Sequence, residues 1–145
     1  MTTTTLDTAA ATGSNTAATT PSQDAAALVA RILLAAVFVL SGIAKLGAAE
    51  GTIGYIGSVG LPFAEVVYYA TLALEIGGGL LLIAGFKARQ IAAVFGLFSI
   101  AAAVLFHADF ADQNQKTHFL KNISIAGGMF AIAAFGPGKF SLSRS

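Results

Sequence analysis

The sequence predicts an all-α membrane protein, an antiparallel bundle of four transmembrane helices, and three observations carry that expectation. The composition is 56% hydrophobic and only 10% charged, where a soluble domain carries roughly a quarter charged residues. Mean hydropathy is +0.78. Beyond residue 24 the apolar residues gather into four long runs without period-two alternation, too long for buried strands. Hydrocarbon makes its own demand: a backbone without water must satisfy its hydrogen bonds internally, which a helix does. A chain of 145 residues suffices for one domain of a few spans, since crossing a ~30 Å core takes about 20 helical residues.

Taken in order, residues 1–24 are Thr- and Ala-rich, nearly free of large apolar side chains, and read as a disordered tail. They lack the basic n-region of a signal peptide, so the first apolar run is expected to stay in the membrane. Residues 25–140 form the membrane domain. Its first span, 25–45, opens after Asp24 as a candidate N-cap and holds Arg31 as its internal charge. The second, 64–86, begins after Pro62, with Glu65 at its mouth and Glu75 inside. The third, 89–107, has no charge between its ends, and the fourth, 118–136, carries Lys121 and Asn122 in its first turns and stops at a Gly-Pro-Gly. The first connection is long and Gly-rich yet contains Ile53, Tyr55, Ile56, Leu61 and Phe63. That mixture suits a short amphipathic element at the membrane interface, or an irregular loop with lipid-facing side chains.

Charge excludes some classes and orients the bundle. The net charge of +1 is too balanced to suggest nucleic acid. Without cysteine there is no disulfide, thiolate metal site or dithiol chemistry. No phosphate loop, nucleotide fingerprint or activated nucleophile is present, and two histidines without ligand spacing suggest no metal. Lys87 and Arg89 in the second connection, with Lys139 and Arg144 in the C-terminal tail, outweigh Lys45 and Lys116 on the other side. The positive-inside rule then places both termini in the cytoplasm of a bacterial-type inner membrane.

Polar residues within the spans are the candidate site. A charge near mid-membrane costs roughly 2.5 to 3.5 kcal/mol on insertion scales, so such groups usually face the bundle interior and pair. Arg31, Ala35, Phe38, Gly42 and Lys45 share one helix face at steps of three and four, and Glu75 shares its face with Tyr68, Thr71, Leu72, Gly78 and Gly79. Counted from the span ends, Arg31 lies near enough to Glu75 in depth for a buried ion pair; the alternative for Arg31 is snorkelling to the interface. Two small-residue stripes, one through Ala92, Gly96, Ser99 and Ala103 and one through Lys121, Ser124 and Gly128, suit close helix approach. At the other end Lys45, Glu65, His107, Asp109, His118, Lys121 and Asn122 arrive from all four helices. Lys45, Glu75, His107, Lys121 and Asn122 form a candidate polar pocket for a polar or quinone-like head group, with Glu75 as its floor. Glu65, Asp109 and His118 read rather as ordinary interfacial polarity.

Arranged this way the sequence resembles the DoxX family of small four-helix membrane proteins, from about Arg31 to Ser143. The resemblance is carried by the early arginine, SGIAK at the end of the first span, YIGSVGLP in the first connection, ALEIGGGLLLIAG in the second span, LFHADF after the third and a closing FGPGKFSLS. The family pattern falls on Arg31, Gly42, Lys45, Pro62, Glu75, Gly78, His107 and Gly136. The resemblance implies a link to redox work: some relatives are subunits of a thiosulfate:quinone oxidoreductase. Others join an oxidative-stress complex with a superoxide dismutase and a sulfurtransferase, and more distant kin act as membrane chaperones or cargo receptors. The absence of cysteine argues against a covalent sulfur intermediate on this chain.

Three functions are therefore open. The first is a membrane subunit or anchor of a redox system, quinone-linked or serving oxidative stress. Quinone would be its cofactor, a soluble oxidoreductase or another membrane subunit its partner, and the chain part of an oxidoreductase complex rather than a complete enzyme. The second is a non-catalytic assembly or interaction protein whose buried charges specify packing. The third is a small-solute carrier, for which four short helices would need to form a homo-oligomer.

Overall fold

The structure, a computed structural model, describes residues 20–143. Most of the expected disordered tail lies outside the described residues. Helix α1 (Pro21–Leu46) is followed by α2 (Ala49–Ser58), α3 (Ala64–Leu72), a π-helical turn (Ala73–Gly78), α4 (Gly79–Ala84), α5 (Ala88–Phe106) and α6 (Gln113–Phe135). No strand occurs among the described residues. Four segments are long and apolar enough to cross a membrane: α1, the continuous stretch Ala64–Ala84, α5 and α6. The protein is a four-helix membrane bundle. Both described termini lie at one end, called here the terminal end, and the connections on either side of α2 and before α6 lie at the loop end.

Local chemistry sets the helix limits, and it moves two of them. Helix α1 starts at Pro21, not after Asp24: Thr20 is the N-cap in a reciprocal capping box with Gln23, and proline occupies the first helical position. The last residues assigned to the tail are therefore helix, and Asp24 faces inward. Its carboxylate accepts from the Lys139 N–H at 3.0 Å and pairs with Lys139 Nζ at 3.5 Å. Helix α6 likewise begins earlier than its apolar run, because Asp112 caps it by accepting from the N–H groups of Asn114 and Gln115. Hydropathy does not register a polar first turn. The first connection contains the amphipathic element in helical form, with Ile56 of α2 buried against Tyr68 and Leu72.

Around the bundle, α1 packs on α3 and α4, α4 on α5, α5 most extensively on α6, and α6 closes on α1. Phe95, Leu82, Met129, Ala35 and Ala92 are fully buried, and Phe38 stacks on Phe95 at a centroid separation of 4.1 Å. Leu33, Leu40 and Leu97 point outward, the arrangement expected where lipid is the solvent. The stripe Ala92, Gly96, Ser99 and Ala103 is buried on α5. The stripe on α6 is not the packed face: Lys121 and Ser124 are exposed, and Ile125, Ala126, Met129 and Ile132 are buried instead. Starting the helix at Gln113 leaves its rotation to be chosen by these larger side chains.

Close approach is most demanding where α1 meets the second span. A Cβ on Gly42 would stand 2.6 Å from Ile76 Cγ1 and 3.2 Å from Glu75 Cβ. Gly77 has open space around it. We therefore expect Gly42→Val to cost about 1 to 3 kcal/mol by overpacking, seen as a lower unfolding midpoint in detergent. Gly77→Ala should leave that midpoint unchanged or raise it.

Candidate functional site

The side chains of Lys45 and Glu75 form the centre of the site. Each Glu75 carboxylate oxygen accepts from Lys45 Nζ at 2.9 Å. Helix geometry explains the reach. Cα–Cβ bonds tilt toward a helix N-terminus, so Lys45, in the last turn of α1, is directed back into the bundle. Glu75 sits in the π turn at the level of Gly42. The π turn inserts an extra residue into the ladder and thereby sets which way the carboxylate faces. The Lys45 side chain is 28% exposed and that of Glu75 5%; the lysine meets the cavity while the carboxylate forms the floor. The Tyr68 hydroxyl donates to the Lys45 carbonyl at 3.0 Å and fixes the end of α1.

The expected Arg31–Glu75 pair does not form. Gly42, and with it Glu75, lies eleven residues beyond Arg31 along α1, about 16 Å of axial rise. Arg31 also points toward its helix N-terminus, away from the carboxylate. Nor does it snorkel: it is 0% exposed. Its Nη1 donates to the Pro137 carbonyl at 2.7 Å, and its Nη2 donates to Phe140 at 2.5 Å and Ile83 at 3.4 Å. Arg31 therefore fastens residues 137–143 across the terminal end. Backbone bonds from Leu142 to Ala84 and from Ser143 to Gly85 complete the fastening. Gly85 is needed there, with φ of 74° and Ser141 where a Cβ would stand. Arg89 caps the last carbonyls of α6 at Ala133 and Ala134.

A cavity of about 660 Å³ extends from the Lys45–Glu75 pair toward the loop end. All five candidate pocket residues, Lys45, Glu75, His107, Lys121 and Asn122, line it. Phe38 and Phe98 belong to its apolar wall, and Phe38 stacks on Phe95 beneath. His118 joins the polar group, although sequence reasoning set it aside. Its ring stacks on His107 at 5.1 Å, its Nδ1 lies 3.0 Å from Lys121 Nζ, and its carbonyl accepts from Asn122 Nδ2. The signal was present: His118, Lys121 and Asn122 stand at i, i+3 and i+4 on one face of the fourth span. Thr52 and Tyr55 of α2 and Ser41 of α1 are further polar lining groups. Glu65 and Asp109 are exposed and do not line the cavity.

Hydrogen bonding fixes the imidazoles. His107 Nδ1 lies 2.7 Å from Gln115 Oε1; an amide oxygen only accepts, so Nδ1 is the donor of this bond and Nε2 is left outside it. His118 Nδ1 accepts a hydrogen bond from the Lys121 ammonium, which places the ring proton on Nε2 as a donor. The cavity thus offers cationic donors, a carboxylate already paired, and two stacked imidazoles on apolar walls. Among the described residues no group of three or more His, Asp or Glu could hold a metal ion.

Fold and site define an integral membrane protein with a polar-floored cavity inside a four-helix bundle. The comparisons narrow this: the DoxX family profile matches residues 26–108, and the chain belongs to the DoxX family. It is 36% identical to inner membrane protein YqjF of Escherichia coli over 122 residues, 84% of this chain and 92% of the relative. To inner membrane protein YphA of the same organism it is 32% identical over 123 residues, covering 81% of this chain and 87% of that one. A 77-residue match at 34% identity, 53% of this chain and 56% of the relative, is to a Bacillus subtilis protein named "Putative oxidoreductase CatD". No solved structure matches.

Proposed function

We propose that the protein is a membrane subunit or anchor of a redox system, quinone-linked or serving oxidative stress, and that its cavity receives a quinone-like head group. The supporting observation is the convergence of Lys45, Glu75, His107, His118, Lys121 and Asn122 on one apolar-walled cavity, the arrangement of a site that orients a small polar head. Lys45 Nζ has three protons and gives two contacts to Glu75, which leaves a donor for a carbonyl oxygen. His107 Nε2 offers the complementary acceptor for a hydroxyl. The name of the Bacillus subtilis relative points the same way. With no cysteine in the chain, thiol-based redox steps would lie on a partner.

The test is co-purification. Protein extracted from bacterial membranes in mild detergent should carry near-stoichiometric quinone by native mass spectrometry and solvent extraction. His107→Phe, which keeps the ring stacked on His118 and removes Nε2 together with the bond to Gln115, should lose it while the protein still folds, with its unfolding midpoint lowered by no more than that one hydrogen bond, about 1 kcal/mol. A quinone-free protein held in a stable complex with a soluble partner would favour the assembly reading instead, in which Lys45 and Glu75 only specify helix packing.

Basic residues support termini in the cytoplasm, with Lys87, Arg89 and Lys139 at the terminal end. The native chain has no cysteine, so single cysteines report cleanly. In intact cells stripped of their outer membrane, Ser58→Cys in α2 should react with an impermeant maleimide. Ser143→Cys should react only after the membrane is opened, and the reverse pattern would invert the orientation.

A further inference from the structure

The second span changes neighbours partway along. On the terminal side of the π turn, α4 packs on α1 and α5; on the loop side, α3 packs on α1 and α2, and no comparable packing joins α3 to α5. A π turn is one of the few features that redirect a helix, and it stands where the spans part. Their close approach is at Gly78, where a Cβ would stand 3.2 Å from Phe95 Cζ. Stepping up both helices from that level pairs Leu74 with Phe98, Thr71 with Ala102, and Val67 with Leu105. All six line the cavity.

These same helices carry the cavity to the outside. Ala70, Ala101 and Leu105 line it and are exposed. Val37 and Lys121 share that property on the α1–α6 side, but those two helices pack on each other, with Leu34 against Gly128 below the cavity, where α3 and α5 have no comparable packing. Toward water the cavity is roofed. Helix α2 lies over it with Thr52, Tyr55 and Ile56, and the Tyr55 hydroxyl ties this roof to α5 by donating to the Phe106 carbonyl at 2.9 Å.

We propose that the cavity opens sideways, through a portal between α3 and α5 into the loop-end half of the bilayer. Its ligand is then an amphiphile whose polar head sits at Lys45 and Glu75 while its apolar tail passes through the portal into lipid. This rests on the reading of the cavity as a head-group site. The rim is suited to a tail: Val67, Ala70, Leu74, Ala101, Ala102 and Leu105 are apolar, Thr71 is the one polar side chain among the residues paired across the gap, and the alanines leave the gap open. A water-soluble solute would instead meet α2.

The test uses the full chain in lipid nanodiscs, with a dimethoxybenzoquinone bearing a decyl tail and its tail-less counterpart as probes. Ala102→Phe fills the portal, Leu40→Phe places the same ring on the outward face of α1 away from the cavity, and unfolding midpoints confirm that both fold. Ala102→Phe should weaken the tailed probe about tenfold and leave the tail-less one unchanged, while Leu40→Phe changes neither. If Ala102→Phe affects both probes equally, or neither, the portal is refuted and the head-group site stands. If the wild type binds neither probe, the head-group reading fails and the portal falls with it.

Discussion

Replacing Arg31 by methionine is expected to destabilise the bundle by about 3 kcal/mol or more and to release residues 137–143 from the terminal end. Methionine fills most of the same volume, so the loss is that of the hydrogen bonds rather than of packing. The guanidinium donates to the carbonyls of Ile83, Pro137 and Phe140, and a bond to a charged group contributes roughly 1.5 to 3 kcal/mol. At 0% exposure no water replaces it. Thermal unfolding in detergent measures the first effect, and limited trypsin digestion the second, since Lys139 should become cleavable in the variant well below its unfolding temperature. Arg31→Lys should fall between, because an ammonium cannot span three carbonyls as a planar fork does. A methionine variant with wild-type stability and a protected tail would remove Arg31 from this role.

The second large effect is asymmetric. Lys45→Met should destabilise by about 3 kcal/mol or more, because it strands a carboxylate that is almost completely buried. Glu75→Leu should cost less, since the partly exposed ammonium of Lys45 can turn toward the cavity mouth and water. The double variant Lys45→Met/Glu75→Leu should return close to wild-type stability, as buried ion pairs replaced by apolar groups often do. Unfolding midpoints of the four proteins form the cycle. If the pair exists for packing alone, the double variant will keep every other property. If it forms the floor of a ligand site, stability will recover and quinone retention will not. Equal losses in the two single variants would show that Glu75 is not the more dependent partner.

The positions of these charges show how far a one-dimensional reading reaches. The face through Arg31, Ala35, Phe38 and Gly42 is buried as its spacing required, and all five candidate pocket residues line one cavity. Pairing was the part that spacing could not give. Depth counted from span ends put Arg31 within reach of Glu75 because it treated the helices as level rods and the C-terminal segment as a tail outside the membrane. In the fold that segment turns back, and its carbonyls claim the arginine first. The interruption of the second span by a π turn also left no clear mark on the sequence. The residues LEIGGG are compatible with a plain helix, and only the approach of Gly42 and Val39 to that side, with Gly79 admitting Val39, makes sense of the extra residue.

The sequence by itself determined the solvent, the number of spans, the inward faces of the first and third spans and the family, because each follows from composition and helical period along one chain. Tertiary structure alone decided that Lys45 rather than Arg31 neutralises Glu75, that His118 joins the cavity, and that the loop-end halves of the second and third spans part. Those outcomes depend on the relative height and rotation of helices. Side-chain volumes at a few close approaches set them, and no periodicity within a single helix encodes that competition.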